Sequence, residues 1–187
     1  YMYFGGIWGG QLQRWRNGVF NPNNPTSPIA FLPNDDEPAL LPFVAKMSDD
    51  LLEFAEKPRE VQILDEKGKL LLAGDNERRF FEAAWVHKYN GKYYFSYSTG
   101  DTHFICYAIG DNPYGPFTYK GKILNPVVGW TSHHSICEFK GKWYLFYHDS
   151  SLSKGVTHLR SVKISEIQYD DDGLIKTLDP YNDFSIL

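Results

Sequence analysis

The chain has 187 residues, enough for one domain with a real core. Its formal net charge of −4 argues against a nucleic-acid or acidic-membrane partner, and no run of 18 apolar residues offers a membrane-spanning helix. Two cysteines, Cys106 and Cys137, make no disulfide framework and read as reduced, buried thiols. Aromatics make up 17% of the chain, a level that suits strands and also the stacking platforms that bind flat sugar faces.

In chain order, "YMYFGG" (1–6) opens on a strand. The segment from Gly9 to Pro42 breaks the pattern with repeated Pro and Asn and reads as a long ordered surface insertion. "LPFVAKMSDDLLEFAEKPREVQIL" (41–64) resumes short strand-like runs. "AAWVHKY" and "GKYYFSYS" (91–98) flank a turn at Asn90-Gly91, which predicts a β-hairpin. "HFICYAIGDNPYGPFTYKGKIL" (103–124) supplies a third strand, a turn and a short fourth strand. "SICEF" and "GKWYLFYH" (141–148) predict a second hairpin, followed by "THLRSVKISEIQYDDDG" (157–173).

The two hairpins repeat at a spacing of 50: Gly91 against Gly141, Tyr94 against Tyr144, Tyr97 against Tyr147. A four-stranded unit recurring at that period is the signature of a β-propeller blade; a sandwich or jelly roll would not repeat hairpin, strand, turn, strand. The expectation is an all-β chain, residues 1–187, with about three blades. Propellers have roughly four to eight blades, so the chain is expected to be the C-terminal part of a longer protein.

Side chains at the start of inner strands converge on a propeller's axis. The repeat matches Glu82 with Ser132, so Glu82 and the "SHHS" cluster are expected to share one axial pocket. Phe80, Phe81 and Trp85 around Glu82 would partly desolvate it and raise its pKa, as a glycosidase acid requires. The bland alternative is an exposed strand end. His133 and His134 are neighbours on a strand and face opposite ways, one to the axis and one to the core. Either can be a satisfied core histidine or a ligand. Asp101 and His103 in "STGDTH" (98–103) can bond a ligand or simply shape a turn with Gly100. Arg160 is expected mid-strand in "THLRSVKI", pairing with a carboxylate or reaching a ligand hydroxyl. "YDDDG" (169–173) reads as a solvated turn. No Gly-rich phosphate loop and no "GxSxG" elbow appears, so phosphoryl transfer and serine-hydrolase chemistry have no support.

"FFEAAWVHKYNGKYYFSYSTGDTH", "NPYGPFTYKGKIL" and "HHSICEFKGKWYLFYHDS", with the opening "YMYFGGIWGGQLQ", together resemble glycoside hydrolase family 43 in its β-xylosidase and α-L-arabinofuranosidase members. The resemblance implies a five-bladed propeller and hydrolysis with inversion by an Asp base, a pKa-tuning Asp and a Glu acid. It carries the acid onto Glu82. It favours His133, with His134 in reserve, as the axial histidine at a Ca2+ or Na+ ion, and Arg160 as a sugar contact; no organic cofactor is implied. Phe81, Trp85, Asp101 and Trp130, with Trp8, are candidate walls and stacking faces for a pentose-containing oligosaccharide or polysaccharide. Both family aspartates are expected ahead of Tyr1, in N-terminal blades of the same protein, because the Asp-Pro step here is Asp179-Pro180, near the C-terminus. The function implied is release of xylose or arabinose from xylan or arabinoxylan. An exo-β-1,4-xylosidase comes first, with an arabinofuranosidase or a non-catalytic carbohydrate-binding propeller as alternatives.

Overall fold

A computed structural model describes residues 1–6, 15–16, 19–21, 23, 33–130 and 133–181. The Gly9–Pro42 insertion lies mostly outside these residues, as does Trp8. Every regular element among the described residues is a strand. The strands are β1 (Met2–Phe4), β2 (Trp15–Arg16), β3 (Val19–Phe20), β4 (Phe43–Ala45), β5 (Arg59–Glu60), β6 (Ile63–Leu64) and β7 (Glu82–Tyr89). They continue with β8 (Lys92–Ser98), β9 (Ile105–Gly110), β10 (Phe117–Leu124), β11 (His134–Phe139), β12 (Lys142–Asp149) and β13 (Ser161–Ile167).

Both expected hairpins form. Tyr89 pairs with Lys92 across Asn90 (φ 46°) and Gly91 (φ 79°). Phe139 pairs with Lys142 across Lys140 (φ 53°) and Gly141 (φ 77°). Two consecutive left-handed residues make the turn whose twist matches paired strands. Each hairpin then takes its third strand, β9 or β13. The fourth strand arrives as β10 in the first copy and is eight residues long rather than short. Among the described residues the β11-β12-β13 sheet has no fourth strand. Beyond the repeat, β6 joins β10 in parallel, giving the five-stranded order β6-β10-β9-β8-β7. Leu178 bridges Leu124 in parallel and fastens the C-terminal segment to the other end of β10.

The three main sheets pack face to face, and the strands of the middle one alternate between two cores. Ile105 and Tyr107 of β9 enter a core shared with Ile136, Leu145 and Ile167 of the β11–β13 sheet. Cys106 and Ala108, one residue out of phase, enter a core shared with Val44, Val61 and Phe80. Side chains two apart on a strand share a face, so this sheet is buried on both sides. Cys137, expected to be buried, is exposed, because it points away from the face that carries Ile136.

The antiparallel order places functional candidates at one end of the sheets. Glu82 opens β7, Ser98 closes β8, His134 opens β11 and Asp149 closes β12. The connections carrying Asp101, Trp130, His133 and Arg160 all lie at that end, while the tight hairpin turns lie at the other. β1 and β11 both run beside β7.

Candidate active site

Glu82 is aimed by a fault in its own strand. Glu82 pairs with Ser98 and the next matched pair is Trp85 with Ser96, so two alanines oppose one residue. That is a β-bulge, a device that re-aims a side chain at a strand end. Ala83 adopts φ 62°, a left-handed conformation that costs a residue with a Cβ about 1–2 kcal/mol.

The backbone just ahead is clamped. Phe81 N–H donates to Ser98 O at 2.9 Å. The Phe81 ring is buried against Gly100, where a Cβ would stand 2.3 Å from the ring. Gly100 has φ 77°, so both its conformation and the space require glycine. Behind Phe81 the buried Arg79 guanidinium lies 5.8 Å from the ring centre and donates to Ala73 O and Asn76 Oδ1. Phe81 therefore braces the loop after β8 from inside. Phe80 lies in the core.

The expected meeting of Glu82 with the histidine cluster occurs. Glu82 Oε1 and His133 Nε2 are 3.3 Å apart, with the Glu82 side chain one-quarter exposed and that of His133 about half. The His133 ring lies 6.4 Å from that of His148, a residue the sequence reading did not single out. The repeat contained the signal, since His148 aligns with Ser98, the partner of Glu82. His134 turns the opposite way, as strand alternation requires, and its Nε2 meets Ser96 Oγ at 2.7 Å. Burial, then His133 and His87, push its pKa down to about 3, so the ring is neutral.

Trp85 is partly exposed and donates Nε1–H to Ile136 O at 3.2 Å, tying β7 to β11. Trp130 is 45% exposed, and its ring meets His103 edge-on at 5.2 Å. Asp101 is exposed in a turn closed by His103 N–H to Gly100 O at 2.8 Å. Arg160 differs from expectation. β13 begins one residue later, and Arg160 sits exposed in the preceding connection, its Nε donating to Thr157 O at 2.9 Å. Its partner is a local carbonyl because the strand ladder has not yet started there. A cavity of about 510 Å3 lies beside β1 and β7, lined by Tyr1, Tyr3, Trp85, His87 and Tyr93, and does not include Glu82.

Among the described residues no group of three or more His, Cys, Asp or Glu side chains is placed to hold a metal ion. A hard cation such as Ca2+ takes six to eight oxygen ligands. His133 faces Glu82 and His134 faces Ser96, so of the two histidines it is His133 that lies on the open side of the site. What the geometry offers is a carboxyl group on the site's rim with an imidazole beside it. Solvent can reach both; the pairing of β7 with β8 holds Glu82, and His133 directly precedes β11.

Residues 43–175 match the family described as Glycosyl hydrolases family 43. The chain is 65% identical over 179 residues to a xylosidase/arabinosidase of Bacteroides ovatus, covering 96% of this chain and 53% of that protein. It is 60% identical to a beta-xylosidase of Xylanibacter ruminicola, covering 95% and 54%. Among solved structures it resembles a family 43 beta-xylosidase/alpha-arabinofuranosidase from a compost microbial metagenome, in complex with xylotriose and calcium-free. The TM-score is 0.90 at 63% identity, over 97% of this chain and 55% of that one. The chain thus spans about half the length of these relatives.

Proposed function

The chain belongs to glycosyl hydrolases family 43, and on that premise we propose that it forms the general-acid half of an inverting pentosidase, with Glu82 as the acid. The observation that carries the reading is the placement of Glu82: a bulged strand end presents its carboxyl group to solvent beside His133, at the end where the loops gather. The proposed architecture is a five-bladed propeller, of which this chain supplies about three blades. The remaining blades belong to the same protein and bring the Asp base and the pKa-tuning Asp.

The first substrate is a terminal β-1,4-linked xylose, and the names of the relatives support it. Glu82 gives its proton to the glycosidic oxygen as the bond to the anomeric carbon breaks, and the electron pair leaves with that oxygen. Water attacks the same carbon from the opposite face and loses its proton to the base. In inverting enzymes the two carboxyl groups stand roughly 6.5–9.5 Å apart to admit that water. Trp130, His103, Asp101 and Arg160 stand at the same end and are the proposed sugar contacts, and Trp85, which lines the cavity beside β1 and β7, is a proposed wall. A second reading, release of α-L-arabinofuranose, is favoured by the double name xylosidase/arabinosidase carried by the Bacteroides relative.

The test is hydrolysis of an alkyl β-xyloside and an alkyl α-arabinofuranoside by the full-length protein and its Glu82→Gln variant. Loss of about 10²–10⁴ in kcat is expected from removing a general acid. Unchanged turnover in the variant sinks the acid role, and pentoside binding without turnover in the unaltered protein means a non-catalytic propeller. This chain by itself is expected to be inactive and to regain activity when mixed with the preceding portion.

A further inference from the structure

In both hairpin sheets the connection leading to the third strand is tied down by a buried side-chain oxygen at the end of the second strand. After β8 that residue is Thr99, whose Oγ1 accepts Phe104 N–H at 3.0 Å and bonds the Thr102 hydroxyl at 2.7 Å. Fifty residues later the equivalent position is Asp149, 2% exposed. Its Oδ1 accepts Ser151 N–H at 3.3 Å and the Ser151 and Ser161 hydroxyls at 2.9 and 3.1 Å. Ser151 lies at the start of the connection between β12 and β13, and Ser161 directly follows its end. One carboxyl group therefore pins both ends of the segment that carries Arg160.

The same group reaches a second segment. Tyr181 donates its hydroxyl to Asp149 Oδ2 at 3.5 Å and accepts Val128 N–H at 2.6 Å. Ser150 N–H donates to Val128 O at 2.8 Å. A Cβ on Gly129 would stand 2.8 Å from Ser150 Oγ, so the two segments touch backbone to side chain. Trp130 follows directly. Lys163 Nζ stands 4.0 Å from Asp149 Oδ2, beyond hydrogen-bond reach, so neutral donors solvate much of this carboxyl group. Burying a carboxylate is costly unless its lone pairs are satisfied, and here they are satisfied by groups from several segments. A neutral hydroxyl anchors one loop at Thr99; the carboxyl group at 149 joins two.

We propose that Asp149 is a positioning residue of the enzyme. Acting through Ser151, Ser161 and Tyr181, it sets Arg160 and Trp130 against the sugar, and so governs sugar binding rather than proton transfer. This rests on the pentosidase reading above, with Arg160 and Trp130 as sugar contacts.

The test uses the full-length enzyme with Asp149→Asn, Ser161→Ala, Arg160→Ala and the Asp149→Asn/Arg160→Ala double variant, assayed on xylobiose across pH. Asp149→Asn is expected to raise KM about tenfold, the scale of one charged hydrogen bond to the sugar, with kcat within about threefold and the pH limbs of kcat unmoved. Ser161→Ala keeps the carboxyl group and removes one donor, so it is expected to shift KM the same way by a smaller factor; this guards against an unfolded Asp149→Asn. The decisive result is coupling: the double variant is expected to lose clearly less than the product of the two single losses, because only the Trp130 share of the Asp149→Asn loss persists once Arg160 is gone. If the two losses multiply, or if kcat falls while KM holds, the positioning role is overturned. In either case an active parent and an inactive Glu82→Gln variant leave the glycosidase reading standing. If the parent cleaves no pentoside, the glycosidase reading fails and takes this inference with it.

Discussion

His87 makes the folded protein sensitive to acid from a position other than the proposed catalytic carboxyl group of Glu82. It is 8% exposed, with its Nε2 on Tyr169 Oη at 2.8 Å and its ring stacked on Tyr94 at 5.0 Å and near Trp143 at 5.1 Å. Burial pushes its pKa down to about 4, so the folded protein holds it neutral. An unfolded imidazole titrates near 6.5. Between those values the unfolded chain binds more protons than the folded one, so stability rises with pH and is lost as pH falls from 6.5 toward 4. Each pH unit inside that window is worth about 1.4 kcal/mol, so moving from about pH 7.5 to about pH 5 removes about 2 kcal/mol through this one ring. His87→Gln keeps a polar partner for Tyr169 and cannot titrate. Urea unfolding of the full-length protein at both pH values checks the reasoning. The variant should lose about 2 kcal/mol less than the parent over that interval. Equal losses would show that His87 does not hold back a proton in the folded state.

Two further substitutions probe the clamp around Glu82. Gly100→Ala combines a left-handed backbone with an overlap against the buried Phe81 ring, and is expected to cost about 2–5 kcal/mol, read as a lowered urea midpoint. A midpoint unchanged from the parent would mean that the ring and loop can move apart freely. Ala83→Gly relieves the left-handed strain but loosens the bulge; stability should stay within about 1 kcal/mol while kcat falls severalfold, since small misplacements of a reacting group are costly. Unchanged kcat would show that the bulge does not fix the carboxyl group.

The hairpins were legible because their turns are written in short local patterns. Asn90-Gly91 and Lys140-Gly141 supply the left-handed pairs, and the spacing of 50 carries Tyr97 and Tyr147 to equivalent buried positions. The same spacing brought Glu82 toward His133, because equivalent strand starts in adjacent sheets must lie at the same end. What escaped reading was non-local or conformational. The bulge at Ala83 leaves no trace in residue type, since alanine has no preference for φ 62°. The parallel pairing of β6 with β10 joins segments more than fifty residues apart. Arg160 looked strand-like from its apolar neighbours Leu159 and Val162, both of which are exposed. Asp149 was hidden in "FYHDSS" because its partners, Ser161 and Tyr181, are distant in sequence and unremarkable in type.

The outer edge of β13 has a practical consequence for anyone handling this polypeptide. Among the described residues β13 is paired on one side, to β12, and it displays Val162 at 73% and Ile164 at 38% exposure. Its one lysine, Lys163, is turned toward Asp149 and so guards that edge poorly against another chain's backbone. Unpaired amide and carbonyl groups flanked by aliphatic side chains invite strand addition between molecules. Turbidity and sedimentation on concentrating the isolated polypeptide should therefore respond to a charge placed at Val162.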